Sequence, residues 1–261
     1  MARGRGDRAQ GGRAQGAGGR GEGSDRMVIY GRNAVREAVR GPRKVGQVWA
    51  SGGAAQEDWL AAIGPTMVSG DEIEDLCGSS DHQGVCAEVA PYRYAEPASL
   101  LAADDALVVA LDEVQDPRNL GAVIRVAECA GASGVVIGER RAAQVTPVVC
   151  KASAGAVEHL PVARVRNLAD YLGEAKEAGA WVYGTSAAGA VPYDQPDYRG
   201  RAVIVFGSEG RGLRPRVRAA CDQLIALPLL GRVDSLNVSA AASAVLYGIL
   251  QFRRLSVDSA P

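Results

Sequence analysis

Three stretches of this chain gather polar side chains capable of chemistry, and each directly follows a short apolar run. Behind "ALVVAL" (106–111) comes "DEVQDPRNLGAVIRVAECAGASGVVIG". Its Asp116-Pro117 pair opens a helix, Asn119 falls in the first turn, and Arg125 sits in the apolar stripe of Ala122, Val123, Val126 and Ala127. Behind "AVIVFG" (202–207) comes "SEGRGLRPRV", where Glu209 stands among Gly207, Gly210 and Gly212, residues that let backbone approach a ligand closely or take positive φ. Behind "QLIAL" (223–227) comes "PLLGRVDSLNV", with Arg232, Asp234, Ser235 and Asn237 leading into a helix whose small side is alanine.

Each stretch also has a purely structural account. Arg125 can pair with Glu128 or with a carboxylate across the domain, the glycines can make a plain turn, and Ser235 or Asn237 can cap the last helix. Capping explains only one of those two residues and neither Arg232 nor Asp234. The glycine-rich turn is neither GxxxxGK followed by Ser or Thr nor GxGxxG, so carbonyl and amide groups, not a phosphate cradle, would recognise any cofactor there. Open parallel sheets hold ligands outside the carboxyl ends of their strands. Asn119 and Arg125, then Glu209, then Ser235 and Asn237 arrive from three such ends and read as one site.

The elements that position them alternate regularly. Strand candidates are 106–111, 134–138, 181–186, 202–207 and 223–227, with helices at Leu120–Ala130, around Val149–Ala156, Asn167–Ala178, after Leu213, and Val238–Arg254. Continuous apolar strands between helices predict an α/β domain, residues 105–261, built on a parallel sheet covered on both faces. A smaller α/β module at 27–95 precedes it: "MVIYGRNAVREAVRG" as strand, turn and helix, "VGQVWAS" as a strand, "EDWLAAIG" as a helix, "GVCAEVAPYRY" as a strand. Residues 96–104 read as a linker, and the Gly/Arg-rich 1–26 as a disordered tail that either solubilises the protein or tethers RNA phosphates.

Composition narrows the function. The chain has 261 residues and a net charge of −1, with +3 in residues 1–26 and therefore −4 beyond them, so affinity for nucleic acid must come from local patches. Arg32, Arg36, Arg40, Arg43 and Lys44 form one such patch. Five scattered cysteines without a CxxC pair suggest reduced thiols in a cytoplasm, and two histidines leave no expected metal site. No apolar run is long enough to span a bilayer and no secretory signal opens the chain.

Taken together, "DPRNLGAVIRVAECAGASGVVI", "VIVFGSEGRGL" and "LPLLGRVDSLNVSAAASAVLYG" resemble the three signature motifs of the SpoU/TrmH class of SPOUT RNA methyltransferases, over roughly Ala106 to Arg254. "VIYGRNAVREAVR", "DHQGVCAEV" and "KASAGAVEHLPVARV" are similar to the subfamily that methylates a guanosine 2′-hydroxyl of 23S ribosomal RNA, whose N-terminal RNA-binding domain has a ribosomal-protein-L30-like fold. The resemblance implies S-adenosylmethionine as methyl donor, RNA as substrate, a C-terminal trefoil knot, and a homodimer formed through the C-terminal domain. It implies cofactor contacts at Gly207, Leu227 and Leu236, with Thr185, Ser208, Gly210 and Pro228 beside them. Arg125 would activate the ribose hydroxyl, helped by Asn119, Glu209, Ser235 and Asn237; Arg32, Arg36 and His82 would bind substrate. Relatives that modify tRNA or other ribosomal nucleotides, including resistance types, and a catalytically silent RNA-binding relative remain alternatives. The missing GxGxxG argues against a dinucleotide oxidoreductase.

Overall fold

A computed structural model describes residue 1, residues 26–186 and residues 190–258 of the chain, with the side chains of 256–258 left aside. The Gly/Arg-rich tail, apart from Met1 and Arg26, and residues 187–189, the tip of the "TSAAGA" stretch that reads in the sequence as a further wall of the cofactor pocket, lie outside the described residues.

The first sheet is small. In chain order come β1 (Met27–Tyr30), α1 (Arg32–Arg40), β2 (Val45–Ala50), α2 (Asp58–Ala61), β3 (Thr66–Met67), α3 (Gly70–Cys77) and β4 (Val85–Val89), with strand order β1-β4-β2-β3. β4 runs antiparallel to both β1 and β2. The helix expected over "EDWLAAIG" is a single turn, because Gly64 takes φ +68 and Pro65 follows. The strand expected through Tyr94 stops at Val89, before Pro91, which cannot donate to a ladder. Tyr92 and Tyr94 instead lend their hydroxyls to the next domain, accepting from the Val162 and Val145 amides at 3.1 and 2.9 Å. Helix α3 is an element the sequence reading passed over, although its Ser69–Glu72 capping box is a legible start signal.

The second sheet carries β5 (Leu107–Asp112), α4 (Pro117–Cys129), β6 (Gly134–Gly138), α5 (Pro147–Ala152), β7 (Val162–Val165), α6 (Leu168–Glu177), β8 (Trp181–Thr185), β9 (Val191–Pro192), β10 (Ala202–Gly207), α7 (Pro215–Ala220), β11 (Gln223–Ala226) and α8 (Val238–Asp258). Its seven strands pair in the order β7-β6-β5-β10-β8-β11-β9, all parallel. Every residue of β5 is buried, its odd-numbered side chains packing with α4, α5 and α8 and its even-numbered ones with α6 and α7. Burial on both faces is why these strands read as continuous apolar runs. β7 was not expected as a strand: "VARV" carries an arginine where the other strands are apolar. The chain reverses its progress across the sheet between β5 and β10, the position at which doubly wound sheets open a crevice.

The connection at 96–104 is packed, not extended. Pro97–Leu101 forms a 3-10 turn that buries Leu100 and Leu101 against the larger sheet. The apolar core of the first module also runs without a break into the α4/α5 face of the second. At the seam, the Arg43 guanidinium donates to Glu158 through Nε at 3.0 Å and again through Nη2, and it lies over the Tyr92 ring. Their side chains are only 7% and 1% exposed, so Arg43 ties the two modules together and does not contribute to the RNA-facing patch expected of it.

A buried charge that loses its partner is far costlier than a pair replaced as a unit. Glu158→Leu should therefore lower stability by about 3 kcal/mol in urea unfolding, while the Arg43→Met/Glu158→Leu double variant should recover most of that loss.

Candidate active site

Asp112 ends β5, Gly207 ends β10, Ala226 ends β11 and Thr185 ends β8, all at the carboxyl edge of the parallel sheet. The loops leaving these ends meet. Asp116 caps α4 by accepting from the Arg118 amide at 2.8 Å, which fixes the first turn and with it Asn119. Asn119 Nδ2 donates to Glu209 Oε1 at 2.8 Å. Asn237 Nδ2 donates to the same Glu209 oxygen at 2.7 Å and to Asn119 Oδ1 at 3.0 Å. Asn237 Oδ1 meanwhile accepts from the Ser239 amide at 2.9 Å and so caps α8. One residue both starts the last helix and closes the polar triangle. Glu209 Oε2 makes no hydrogen bond among the described residues, so an acceptor remains available to a ligand.

Beside the triangle lies a cavity of about 470 Å³. Its floor and sides are apolar at Phe206, Ile225, Leu227, Leu236 and Val245, and polar at Thr185, Ser186, Asp234 and Ser235. The loop 208–213 folds over it: the Gly212 amide donates to the Ser208 carbonyl at 2.9 Å, and Gly210 and Gly212 take φ of +78 and +64. A Cβ on Gly207 would stand 2.2 Å from the Gly212 carbonyl carbon, so only glycine lets the strand end and its own loop approach this closely.

Of the residues expected at the cofactor, Gly207, Ser208, Gly210, Thr185, Leu227 and Leu236 line this cavity; Pro228 does not, its neighbours Leu227 and Leu229 facing it instead. Asn119, Glu209, Ser235 and Asn237 are brought together around it. Arg125 is not. It is exposed on α4, lines neither this cavity nor the one beside it, and forms no hydrogen bond or ion pair among the described residues, so the expected Glu128 pairing is absent as well. Six residues of helix, about one and two-thirds turns, carry it away from Asn119 and round to another face. Arg32, Arg36 and His82 stand in the first module away from both cavities: Arg32 pairs with Glu57 at 2.7 Å, Arg36 with Glu37 at 3.1 Å, and His82 Nδ1 accepts from the Gly84 amide at 2.9 Å. Ser186, from the "TSAAGA" stretch expected as a further wall, lines the cavity and accepts from Arg218 at 2.8 Å, a lining residue that the sequence did not single out.

Burial pushes the Cys221 thiol up to about 11, and partial burial together with Glu128 raises Cys129, the thiol near Arg125.

Because Asn237 has two separable duties, its variants should separate them. Asn237→Ala is expected to lower stability by about 1 kcal/mol through the lost cap, whereas Asn237→Ser should keep the cap and lose only the triangle; thermal unfolding of the two distinguishes these effects.

Comparison with known proteins fits this geometry. Residues 106–247 match the SpoU rRNA Methylase family, and residues 28–95 match the RNA 2′-O ribose methyltransferase substrate binding family. The chain is 40% identical over 237 residues to the putative TrmH family tRNA/rRNA methyltransferase YacO of Bacillus subtilis, covering 86% of this chain and 95% of that protein. It is 39% identical over 244 residues to an uncharacterized tRNA/rRNA methyltransferase of Mycolicibacterium vanbaalenii, covering 88% and 78%. Among solved structures, an AdoMet-bound rRNA methyltransferase from Sinorhizobium meliloti superposes with a TM-score of 0.74 at 28% identity over 87% of each chain. An RNA 2′-O ribose methyltransferase superposes with a TM-score of 0.76 at 26% identity, over 88% of this chain and 90% of that one. Two family models in the expected order, nearly full-length relatives and the strand-end site place this chain in the SpoU/TrmH family of RNA methyltransferases.

Proposed function

We propose that this enzyme methylates a ribose 2′-hydroxyl of RNA, a guanosine of 23S ribosomal RNA, with S-adenosylmethionine as donor. The observation that carries the reading is the Asn119–Glu209–Asn237 triangle standing at the rim of a ligand-sized cavity. The residues fit that donor: about 470 Å³ lies within the usual range of small-molecule sites, and the apolar side chains of Leu227, Leu236 and Ile225 suit a purine ring. The backbone of 207–213 supplies amides and carbonyls for the ring edge, and the Asp234 carboxylate suits a cationic amino group. When bound, S-adenosylmethionine supplies a methyl group on a sulfonium, and the reaction is its in-line displacement by the ribose oxygen.

The chain's own residues have the remaining work. Asn119 and Asn237 fix Glu209 Oε1, leaving Oε2 to accept from the hydroxyl and orient it. Arg125 stabilises the oxygen as negative charge develops, since a guanidinium that stays charged in water is no base, and the hydroxyl proton passes to water or an RNA phosphate. It can do so only from a second copy of the chain, because within one chain it stands apart from the triangle. The exposed face of α8 offers the place: Ala240, Ala244 and Tyr247 recur at helical spacing, and Leu230 and Val233 are 98% and 72% exposed beside it. The same reading carries the trefoil knot, formed as the chain from 227 onward threads past the 208–213 loop, and a cytoplasmic location.

Tritiated S-adenosylmethionine incubated with ribosomal RNA, followed by nuclease mapping, tests the activity: label in a ribose methyl supports it, and RNA binding without label refutes it. Arg125→Lys should keep cofactor affinity by calorimetry and lose about 100-fold in turnover, because an ammonium does not replace a planar fork. Mixing inactive Arg125→Ala and Glu209→Ala proteins should restore about a quarter of wild-type activity if sites are shared between subunits, and none if each subunit is self-contained.

A further inference from the structure

A second cavity, of about 330 Å³, lies on the far side of the triangle. Asn119, Ser208, Glu209 and Arg211 border it, and Ser208, Glu209, Arg211 and Val238 also line the first cavity, so the two spaces share a wall. The rest of its lining, Glu113, Val114, Gln115 and Asp116, comes from the loop between β5 and α4, and of these only Asp116, the α4 cap, has a part in the reading above.

Glu113 is held there with unusual care. It takes φ +56, a backbone conformation that non-glycine residues adopt only when their surroundings impose it. Its Oε1 lies 3.5 Å from Arg141 and 3.6 Å from Arg214. Arg214 is itself anchored by the fully buried Asp112, to which its amide and Nε donate at 2.8 and 2.7 Å. Those arginines hold the carboxylate by charge at distances too long for hydrogen bonds, and Oε1 is buried without a hydrogen bond among the described residues. Its other oxygen, Oε2, is not buried and makes no hydrogen bond among the described residues, so it is the acceptor that this lining residue can offer a ligand's donor in the cavity.

The geometry points to the base of the target nucleotide as that ligand, with Glu113 as the residue that reads it; this rests on the 2′-O-methylation reading above. A ribose whose 2′-hydroxyl meets Glu209 and Asn119 at the shared wall has its methyl donor on one side, and the space left for its base is the second cavity. Enzymes that act on one nucleotide commonly read an unstacked base by its Watson–Crick edge. A carboxylate can only accept, and guanine alone offers two adjacent donors, N1–H and the N2 amino group, that can converge on the two lone pairs of Oε2. Adenine and cytosine offer one amino group, and uracil one imino N–H. Arg141 and Arg214 offset the carboxylate charge that would otherwise repel RNA phosphates.

The test begins with transcripts of 23S ribosomal RNA and of tRNA, labelled with tritiated S-adenosylmethionine and analysed by nucleoside and by position. A synthetic RNA of the mapped site then replaces the target guanosine by inosine, which lacks the N2 amino group. Wild-type enzyme should place its label in 2′-O-methylguanosine and lose at least about tenfold in kcat/KM on the inosine RNA. Glu113→Gln should lose a similar factor on guanosine RNA with unchanged calorimetric affinity for S-adenosylmethionine, and little more on inosine RNA, since both changes remove one contact. Label in another nucleoside, full activity of wild type on inosine RNA, or losses that simply multiply would overturn the assignment and leave the methyltransferase reading intact. No label in any RNA would overturn both. The inosine arm uses unaltered protein and decides the matter even if the variant fails to fold.

Discussion

Three loops with no common sequence neighbourhood are held in one place by the two hydrogen bonds that Glu209 Oε1 accepts, from Asn119 and from Asn237. Each partner is anchored independently. Asn119 sits in a first turn fixed by the Asp116 cap, and Asn237 is itself the cap of α8. The triangle is therefore positioned by helix starts, which are among the more rigid points of an α/β fold, and its own bonds need only close a gap that the scaffold has already narrowed. A carboxylate that accepts two donors on one oxygen and keeps the other open is both oriented and usable.

The scaffold achieves this through the edge geometry of the parallel sheet. Because β5, β8, β10 and β11 run in the same direction, their outgoing loops must all emerge at one edge, and the reversal between β5 and β10 leaves a crevice there. Close approach makes the rest possible. Gly207 admits its own returning loop, and Gly121 lets α4 press against α5, where a Cβ would meet the Ala152 Cβ at 2.5 Å. The alanines of α8 belong to the same logic: small residues on a long helix keep its neighbours near and leave a smooth face for another surface.

The first module is joined to this site through a seam rather than a tether. Tyr92 and Tyr94 hydrogen-bond amides of the second domain, Leu100 and Leu101 bury the connection, and the Arg43–Glu158 pair sits at only a few per cent exposure between them. Glu37 adds to it from α1, pairing with His159 across the seam at 3.1 Å. Burial would raise the Glu37 carboxyl, but His159, Arg36 and Arg40 together hold it below its usual value, so its contribution is present near neutrality and fades as pH falls through that lowered pKa. An RNA contacted by the first module would thus be presented to the catalytic edge in a fixed geometry.

Much of this was legible in the chain. The strands at 134–138 and 202–207, the Asp116-Pro117 helix start and the grouping of Asn119, Glu209 and Asn237 follow from local signals: burial on both faces writes continuous apolar runs, and caps and glycines have positional meaning. What remained hidden depends on partners distant in sequence. Arg43 looks like a surface cation until Glu158 is placed against it, and "VARV" is a strand only because β6 lies beside it. Glu113 is one acid in an acidic stretch until Arg141 and Arg214 converge on it and leave an oxygen unbonded. Sequence spacing put Arg125 in the same motif as Asn119, but the helix turns it away from the triangle, since residues that are near along a chain need not face the same way. Residue type and period are local properties of a chain; orientation and pairing are settled only when the whole fold fills its space.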